Sequence, residues 1–425
     1  MQSKTYCKHP FREIAIKDYK GDKLRAFWPC CMMGNDFDTT VIYSPNILKI
    51  EDPHLLTPQE MYDHPRMNQL RDNLSNSIRD PACKVCWDQE DRGIQSFRNY
   101  SNEDFGYEED GLSVIDITAS NICNLRCRMC SPSASHQLMQ DHQFFKKNNL
   151  LIKVENTTKR WLGWQADGSG KGFVPSDGAK PIEATKSHQW DWLMENTHKI
   201  KVLKASGGEP LYDNKVIQLL QKYVETGAAK ETLLIFHTNA TQFNEDTVVM
   251  LNQFKKNKHT FSIDGVGKTY EYIRYPALFS ETEESVKRYI KDVRNYDPIL
   301  NFVFVVSAHN ILNIDDYLTW SKKLYPGVCC QFSEVYSRDR GIAIQHLSID
   351  ILTEAKKQAQ KHLIRSNGLE DGDVANLIRM IDDAINNNKE NKQLVKDECE
   401  LFDMSRNQSY RDFLHPMIVE WLDND

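Results

Sequence analysis

The middle of this chain alternates between short apolar runs of strand-like composition and longer runs in which apolar residues recur at helical spacing. Such runs predict buried strands and amphipathic helices, respectively. Strands that alternate with helices favour a parallel sheet in an α/β fold, and six repeats favour a partial (βα)6 parallel barrel. The predicted strands span residues 112–118, 199–205, 232–237, 259–263, 301–306 and 328–335.

The repeats divide the chain into three predicted regions. Residues 109–340 form the barrel, and residues 341–425 form a helical C-terminal extension. Residues 1–108 contain five cysteines with little regular periodicity, which predicts a small cysteine-rich N-terminal module. The predicted helices span residues 133–147, 214–225, 245–255, 281–296, 314–324, 348–362 and 374–386.

The charge and the apolar pattern limit the classes of protein that this chain can belong to. It carries 53 Lys and Arg against 60 Asp and Glu, a formal net charge of −7, which argues against a broad nucleic-acid-binding surface. The polar start and the lack of an apolar run of about 18 residues predict a cytoplasmic protein without a membrane-spanning helix. In a reducing cytoplasm, clustered cysteines are better interpreted as metal ligands than as disulfides.

Three cysteines, Cys123, Cys127 and Cys130, follow the first predicted strand with the spacing CxxxCxxC. Three thiolates can hold a cube of four irons while one iron stays without a protein ligand. A structural metal site fills its coordination shell, whereas a reactive site keeps a position open. The alternative is a structural zinc site, for which His136 is the candidate fourth ligand.

This spacing resembles the signature of the radical S-adenosylmethionine (radical SAM) enzymes. In that family, the open iron binds the amino and carboxylate groups of S-adenosylmethionine (SAM). Reductive cleavage of the sulfonium then gives a 5′-deoxyadenosyl radical, which abstracts a hydrogen atom from the substrate. The resemblance therefore implies a [4Fe–4S] cluster, SAM as cofactor, and a reducing electron donor such as flavodoxin or ferredoxin.

Polar or glycine-containing segments follow the later predicted strands, and we expect them to meet the cysteine loop at the carboxyl ends of the strands. In the radical SAM family, a Gly-Gly-Glu-Pro loop binds the amino group of SAM, and polar residues after the fourth strand hydrogen-bond its ribose. The alternative for each segment is an ordinary turn at a strand end. Here Ala240 replaces a usual glycine, and a methionine replaces the usual aromatic residue before the third cysteine. The implied cofactor-binding residues are Met129, Gly207, Gly208, Glu209, Pro210, Asn239, Ser262, Asp264 and Ser307.

The N-terminal cysteines form a second candidate metal site. A CxxC pair, Cys83 and Cys86, together with Cys7 and Cys30, supplies four thiolates, which suits a structural zinc or an iron–sulfur cube. The region resembles the twitch and SPASM modules of radical SAM enzymes, which implies an auxiliary [4Fe–4S] cluster. It precedes the barrel instead of following it, and it has fewer cysteines than a full SPASM module. Cys31 is the candidate substitute for one of these ligands.

The sixth predicted strand carries the candidate catalytic residues. Cys329 and Cys330 lie within it, and Glu334 and Tyr336 lie near its end. A cysteine there can donate a hydrogen atom to a substrate radical, and the alternative is that both cysteines belong to the core. Relatives with twitch or SPASM modules favour a peptide or protein substrate, with a nucleotide, sugar or other small molecule as the alternative. A non-enzymatic zinc-binding module is the rival hypothesis.

Overall fold

The computed structural model describes residues 3–20, 23–30, 55–91, 96–104, 111–132, 134–158, 188–335, 338–363, 365–366, 369–370 and 372–424. Most of these residues lie in helices and in one large sheet. The strands are β1 (Glu13–Lys20), β2 (Lys23–Trp28), β3 (Val114–Thr118), β4 (Val202–Ser206), β5 (Leu233–Thr238), β6 (Lys256–Asn257), β7 (Thr260–Ser262), β8 (Asn301–Val306), β9 (Cys329–Glu334), β10 (Arg365–Ser366) and β11 (Leu369–Glu370).

The helices follow the strands of the sheet and continue into the C-terminal region. Within the described residues, no helix is both long enough and apolar enough to cross a membrane. The helices are α1 (Pro58–Tyr62), α2 (Pro65–Ser75), α3 (Lys84–Asp91), α4 (Phe97–Asp104), α5 (Leu138–Lys147), α6 (Leu151–Thr158), α7 (His188–Glu195), α8 (Asn214–Glu225), α9 (Glu245–Leu251), α10 (Gly267–Ile273), α11 (Phe279–Asp292), α12 (Ile314–Leu324), α13 (Ile349–Gln360), α14 (Gly372–Asn386), α15 (Lys392–Arg406) and α16 (Pro416–Asp423).

The large sheet follows the hydrogen-bonded order β2-β1-β3-β4-β5-β7-β8-β9, and β6 pairs with β5 beside this path. β2 is antiparallel to β1, and the other eight strands described in this sheet pair in parallel. The six predicted strands occur in sequence order from β3 to β9, interrupted in the chain only by the two-residue β6. The α/β fold class is confirmed, and the parallel order is consistent with a partial (βα)6 barrel.

The chain divides into two compact units that interleave in sequence. Unit 1 comprises Met1–Asn121, Pro181–Phe236 and Met250–Asn257, and unit 2 comprises Ile122–Lys180, His237–Val249 and Lys258–Asp425. The predicted division at residues 108 and 340 cuts the chain elsewhere, and it stays a prediction.

Unit 1 includes a strand that the sequence analysis missed. β1 pairs in parallel with β3, with Ile14 opposite Ile115 and Ile16 opposite Ile117. Both isoleucines of β1 are fully buried. The alternation of Ile14 and Ile16 with smaller or polar residues is a short strand pattern, so the description of residues 1–108 as lacking periodicity was wrong for this segment.

Unit 2 combines the later strands with the C-terminal helices. Phe261 on β7 and Phe302 on β8 meet edge to face, with ring centroids 5.7 Å apart, and Trp320 of α12 stacks on Phe302 at 5.6 Å. A second buried cluster joins α5 and α6 to α15 through Phe145, Val154 and Phe402. The predicted helical C-terminal region is therefore confirmed, and in this unit it shares a core with the first helices after the cysteine loop.

The aromatic layer of unit 2 gives a stability prediction. Phe302 is fully buried, so Phe302→Ala should remove ring contacts and leave a cavity that costs about 3–5 kcal/mol. Leu278→Ala is the matched control, because Leu278 is 48% exposed and its truncation should change stability by less than about 0.5 kcal/mol. Urea unfolding followed by circular dichroism measures both, and similar midpoints for the two variants would contradict the assignment of Phe302 to the core.

Candidate functional site

The three cysteines of the CxxxCxxC loop lie together in unit 2. Cys123 and Cys127 are buried, Cys130 is half-buried, and all three pack in one cluster with Leu125. Met129 packs partly against the same cluster. The spacing that predicted a shared metal centre therefore corresponds to three thiols at one place, in apolar surroundings.

Nitrogen donors point at two of these sulfur atoms. The Leu125 backbone N–H donates to Cys123 Sγ at 3.4 Å, and Asn239 Nδ2 approaches the same sulfur at 3.8 Å. Arg274 Nη1 donates to Cys127 Sγ at 3.7 Å. Donors of this kind stabilise a thiolate more than a neutral thiol, so the surroundings of Cys123 and Cys127 fit negatively charged metal-ligand sulfurs.

The thiols of Cys127 and Cys130 shift each other's pKa. A hydrogen bond from Cys130 lowers the pKa of Cys127, burial opposes that shift, and the charge of Arg274 adds to the lowering. The same hydrogen bond, together with burial, holds the pKa of Cys130 well above its usual value. Cys127 is therefore the more readily ionised of the two thiols, and metal binding would release the protons of the thiols that become ligands.

Asn239, at the end of β5, is tied to the cysteine loop. Its Nδ2 donates to Asn124 Oδ1 at 2.8 Å, and Asn124 Nδ2 donates to Thr241 Oγ1 at 2.9 Å. Ala240 between them has φ +65°, a left-handed conformation that favours glycine. The alanine that departs from the family pattern thus adopts the backbone conformation for which glycine is the usual residue.

Asp264 and Ser307 are buried and are hydrogen-bonded to other residues of the protein. Asp264 is fully buried, its Oδ2 accepts from Arg274, and its Oδ1 accepts from the Val305 N–H at 2.7 Å. Ser307 is also buried, and Asn310 Oδ1 accepts from its N–H at 2.8 Å and its Oγ at 3.0 Å. The contacts of Ser262, Asp264 and Ser307 with SAM therefore stay predictions. The contacts observed for Asp264 and Ser307 are with other residues of the protein.

The cysteine loop is held by backbone pairing that the sequence analysis did not anticipate. The Arg126 N–H donates to Tyr275 O at 2.7 Å, and the Arg128 N–H donates to Ile273 O at 2.9 Å. The Arg126 guanidinium also lies over the Tyr275 ring at 4.8 Å. No local motif marks residues 273–275 as partners of the cysteines, because the pairing depends on how α10 ends in the tertiary structure.

Helix α15 holds the same loop through buried ion pairs. Arg128 Nη2 donates to Asp403 Oδ1 at 2.6 Å, and the Arg128 guanidinium lies 3.5 Å from the centre of the Tyr272 ring. Arg340 Nη2 donates to Arg128 O at 2.9 Å and to Glu398 Oε1 at 3.1 Å. Asp403 of α15 thus holds Arg128 of the loop, and Glu398 of α15 holds Arg340, which donates to the loop backbone.

His136, the candidate zinc ligand, has other partners. Its Nδ1 accepts a hydrogen bond from the Cys123 N–H at 3.3 Å, and its Nε2 lies 3.1 Å from Gln137 Nε2. Among the described residues, no group of three or more His, Cys, Asp or Glu side chains is arranged to hold a metal ion. A four-iron cube is larger than an ion and holds its thiolates further apart.

The Gly-Gly-Glu-Pro loop lies in unit 1 after β4. Gly207 has φ +117°, and a Cβ there would lie 2.6 Å from Thr118 Cγ2 and 2.8 Å from Ser120 O. The Gly208 N–H donates to Ser120 O at 3.1 Å. Glu209 is buried, and its Oε1 accepts from the Leu211 N–H at 3.1 Å. Gly207 is therefore required by close backbone packing, whatever the loop binds.

The N-terminal cysteines also lie in unit 1. Cys7, Cys30 and Cys86 are buried and Cys83 is half-buried, whereas Cys31 lies outside the described residues. Cys7, Cys83 and Cys86 are close enough that a charge on one raises the pKa of another. The auxiliary ligand set stays a prediction.

Donors and a positive charge surround this group. Burial raises the pKa of Cys7 to about 12, against a hydrogen bond from the His9 backbone and the charge of Arg98. The Arg98 backbone likewise donates to Cys86. Arg98 Nη1 donates to Tyr6 O at 2.7 Å, so one side chain both holds the segment that carries Cys7 and supplies charge to the thiols.

The candidate catalytic residues of β9 are spread along the strand. Cys329 begins it and donates to Asp373 Oδ2 at 3.0 Å, whereas Cys330 is buried, with Sγ 3.4 Å from Ser321 Oγ. Glu334 ends the strand and pairs with Arg338 at 2.7 Å. Tyr336 lies outside the described residues. The two cysteines are thus at the amino end of β9, opposite the end where the motif loops follow, and their catalytic role stays a prediction.

Neither protein-family models nor curated proteins match the chain, whereas solved structures do. One is native anSMEcpe with bound AdoMet, at 18% identity and a TM-score of 0.34, covering 53% of this chain and 52% of that chain. Native anSMEcpe with bound AdoMet and Cp18Cys peptide is 16% identical, with a TM-score of 0.32 and coverage of 59% and 61%. SuiB of Streptococcus suis bound to precursor peptide SuiA is 14% identical, with a TM-score of 0.30 and coverage of 60% and 53%.

The chain therefore spans about half to three fifths of the length of these three proteins.

The packing of Gly207 can be tested against Gly227, which also has a positive φ but has no atom within 4 Å of its absent Cβ. Gly207→Ala should lower the urea midpoint more than Gly227→Ala, because the new methyl group overlaps Thr118 and Ser120. Gly227 has φ +79° and no atom near its absent Cβ, so alanine there should cost only the backbone strain of about 1–2 kcal/mol. Equal losses in the two variants would show that overlap at Gly207 is relieved without cost.

Removing one partner of the buried Arg128–Asp403 pair should cost more stability than removing one partner of an exposed pair, because the remaining charge stays buried. Asp403→Asn leaves the buried guanidinium without its carboxylate, and we expect a loss of about 3–5 kcal/mol. Asp423→Asn breaks the exposed Arg411–Asp423 pair and should leave the urea midpoint unchanged within error. Equal midpoints for the two variants would contradict a structural role for Asp403.

Proposed function

We propose that this protein is a radical SAM enzyme whose [4Fe–4S] cluster is held by Cys123, Cys127 and Cys130. The observation that carries the proposal is the cluster of these three thiols, at the family spacing, with the amide of Asn239 and the guanidinium of Arg274 directed at their sulfurs. Buried thiols with N–H donors suit a sulfur-ligated, redox-active cluster, whose potential depends on such hydrogen bonds and on burial.

When bound, the cluster supplies an electron and an open iron position for SAM. The residues of the chain supply ligands, donors and exclusion of water. Leu125 and Met129 provide apolar packing beside the cysteines, and a methionine side chain is adaptable enough to pack beside a ligand ring. Keeping the site dry protects a reactive radical from side reactions.

Further roles carry over from the resemblance to the radical SAM family. Binding of the SAM amino group is assigned to the loop of Gly207, Gly208, Glu209 and Pro210, and an auxiliary [4Fe–4S] cluster is assigned to Cys7, Cys30, Cys83 and Cys86. The backbone N–H donors at Cys7 and Cys86 support the second assignment, because iron–sulfur clusters are tuned by donors of this kind.

For the substrate, a peptide or protein is our first candidate, and a nucleotide, sugar or other small molecule is the second. A low-potential donor such as flavodoxin or ferredoxin would deliver the electron. Incubation of the reconstituted enzyme with candidate substrates, followed by mass spectrometry, separates the two classes: a mass change in a peptide supports the first, and one in a small molecule supports the second.

The proposal is tested by SAM cleavage in protein purified without oxygen and reconstituted with iron and sulfide. With dithionite and SAM, we expect release of 5′-deoxyadenosine, and we expect Cys127→Ala to abolish it because the first cluster loses a ligand. Cys83→Ala is the matched control: it removes a thiolate from the N-terminal group, so the cluster on the triad should still assemble and still respond to SAM.

Two outcomes would overturn this proposal. A colourless protein that holds zinc and releases no 5′-deoxyadenosine would support the structural zinc module instead. Loss of all iron in Cys83→Ala, with the fold retained by circular dichroism, would show that the two groups of cysteines are not separate cluster sites.

A further inference from the structure

Resting on the proposed function, we infer that Arg274 is a positioning residue that raises the reduction potential of the cluster held by the triad, and that Asp264 moderates this effect. Nothing in the sequence pattern marks Arg274. The inference comes from its buried position between a carboxylate and a candidate ligand sulfur, and it concerns how readily the cluster accepts its electron.

Arg274 divides its donors between two partners. Nε donates to Asp264 Oδ2 at 2.6 Å, and Nη2 lies 2.5 Å from the same oxygen in an ion pair, while Nη1 is directed at Cys127 Sγ, 3.7 Å away. Asp264 is itself fixed, because its other oxygen accepts from the Val305 N–H at 2.7 Å. A continuous series of hydrogen bonds therefore runs from the backbone of β8 through Asp264 and Arg274 to the cysteine.

The backbone around Arg274 is equally fixed. Its own N–H donates to Tyr270 O at 2.7 Å, at the end of α10. The residues on either side, Ile273 and Tyr275, accept hydrogen bonds from Arg128 and Arg126 of the cysteine loop. The backbone of Arg274 is therefore held by its neighbours' pairing with the loop, and its guanidinium is held beside Cys127 by Asp264.

The charge on Arg274 is secure despite its burial. An arginine keeps its positive charge in proteins, and here the Asp264 carboxylate accepts from its Nε at 2.6 Å. Burial also raises the pKa of Asp264, and the charge of Arg274 and the Val305 N–H oppose that shift. A buried guanidinium that contacts a carboxylate oxygen on one side and a cysteine sulfur on the other has a specific geometry, which a surface ion pair does not need.

Such a charge should change a redox equilibrium. One electron from dithionite takes a [4Fe–4S] cluster from the 2+ to the 1+ state, with no bond made or broken, so reduction adds one negative charge at the triad. In a low-dielectric site, a nearby positive charge stabilises the more negative state, and a carboxylate destabilises it. Arg274 is the nearer group because it contacts Cys127 directly, whereas Asp264 reaches the sulfur only through it.

The two charged groups therefore predict shifts of opposite sign. Removing the positive charge in Arg274→Gln should lower the reduction potential. Neutralising the carboxylate in Asp264→Asn, with Arg274 kept, should raise it. We expect each change to alter the equilibrium constant for reduction about tenfold, which is about 59 mV for a one-electron couple. Arg274→Lys keeps the positive charge. Its reduction potential should therefore differ less from that of the protein without substitutions than the reduction potential of Arg274→Gln does.

The measurement is a redox titration of the reconstituted protein followed by electron paramagnetic resonance. The signal that changes when SAM is added belongs to the cluster on the triad, which separates it from any N-terminal cluster. Arg411→Gln and Asp423→Asn are the matched controls, because they remove the same two kinds of charge from an exposed ion pair, and neither should shift the potential. Iron and sulfide contents and circular dichroism establish that each variant is folded and loaded.

Shifts of opposite sign at Arg274 and Asp264, with unchanged controls, support the inference. Shifts of the same sign, or none, in loaded variants overturn it, because a merely structural pair would disturb the site in the same way from either side. If Arg274→Gln takes up no iron, Arg274→Lys and Asp264→Asn still decide the matter by the size and direction of their shifts. If the protein without substitutions gives no SAM-responsive signal, the proposed function is overturned as well. Failure of the proposed function is thereby distinguished from failure of the inference about Arg274.

Discussion

The arrangement of unit 2 depends on how the cysteine loop is held at the end of β3. Within the loop the Cys130 N–H donates to Cys127 O at 3.2 Å, but other backbone groups of the loop have partners outside it. The structure supplies these outside partners: carbonyls of Ile273 and Tyr275 accept from the loop, and Arg340 donates to the carbonyl of Arg128. Buried backbone groups need such partners, and here the partners also fix the direction of the side chains.

The side chains that hold the loop are charged, and that choice has a physical cost. Moving arginines and carboxylates out of water is unfavourable unless each finds good hydrogen bonds. The Arg128 guanidinium donates to Asp403 and to the Tyr272 carbonyl, and it also lies over the face of the Tyr272 ring. The Arg340 guanidinium pairs with Glu398. These pairs add geometric constraint more than net stability, because charged, directional partners admit few alternative arrangements of the loop. The C-terminal extension thus contributes α15 as part of the support of the cysteines.

The sequence was informative about the fold where local patterns decide structure. β8, α8 and α12 begin and end at the predicted residues, because β-branched runs and amphipathic periodicity are local properties. β1 was missed because its apolar run, Ile14–Ile16, is short and is flanked by charged residues. The loop cysteines and Asn239 were predicted from motif spacing, and the structure places them together. Arg274, Asp403 and Glu398 carried no signal, because their partners are far away in sequence and only tertiary folding brings them together.

Asp264 shows why a motif can predict the position of a residue better than its role. Its place after the fourth strand of the barrel suggested a polar contact with a ligand, but a buried carboxylate must first satisfy its own charge. Arg274 and the Val305 N–H occupy both oxygens, so the carboxylate acts on the site through the guanidinium. A ligand at this position would compete with a buried ion pair, and displacing that pair would leave a buried charge unpaired. Ser262, the last residue of β7, is half-buried, so no fully buried position opposes its predicted contact with a ligand, and that contact stays a prediction.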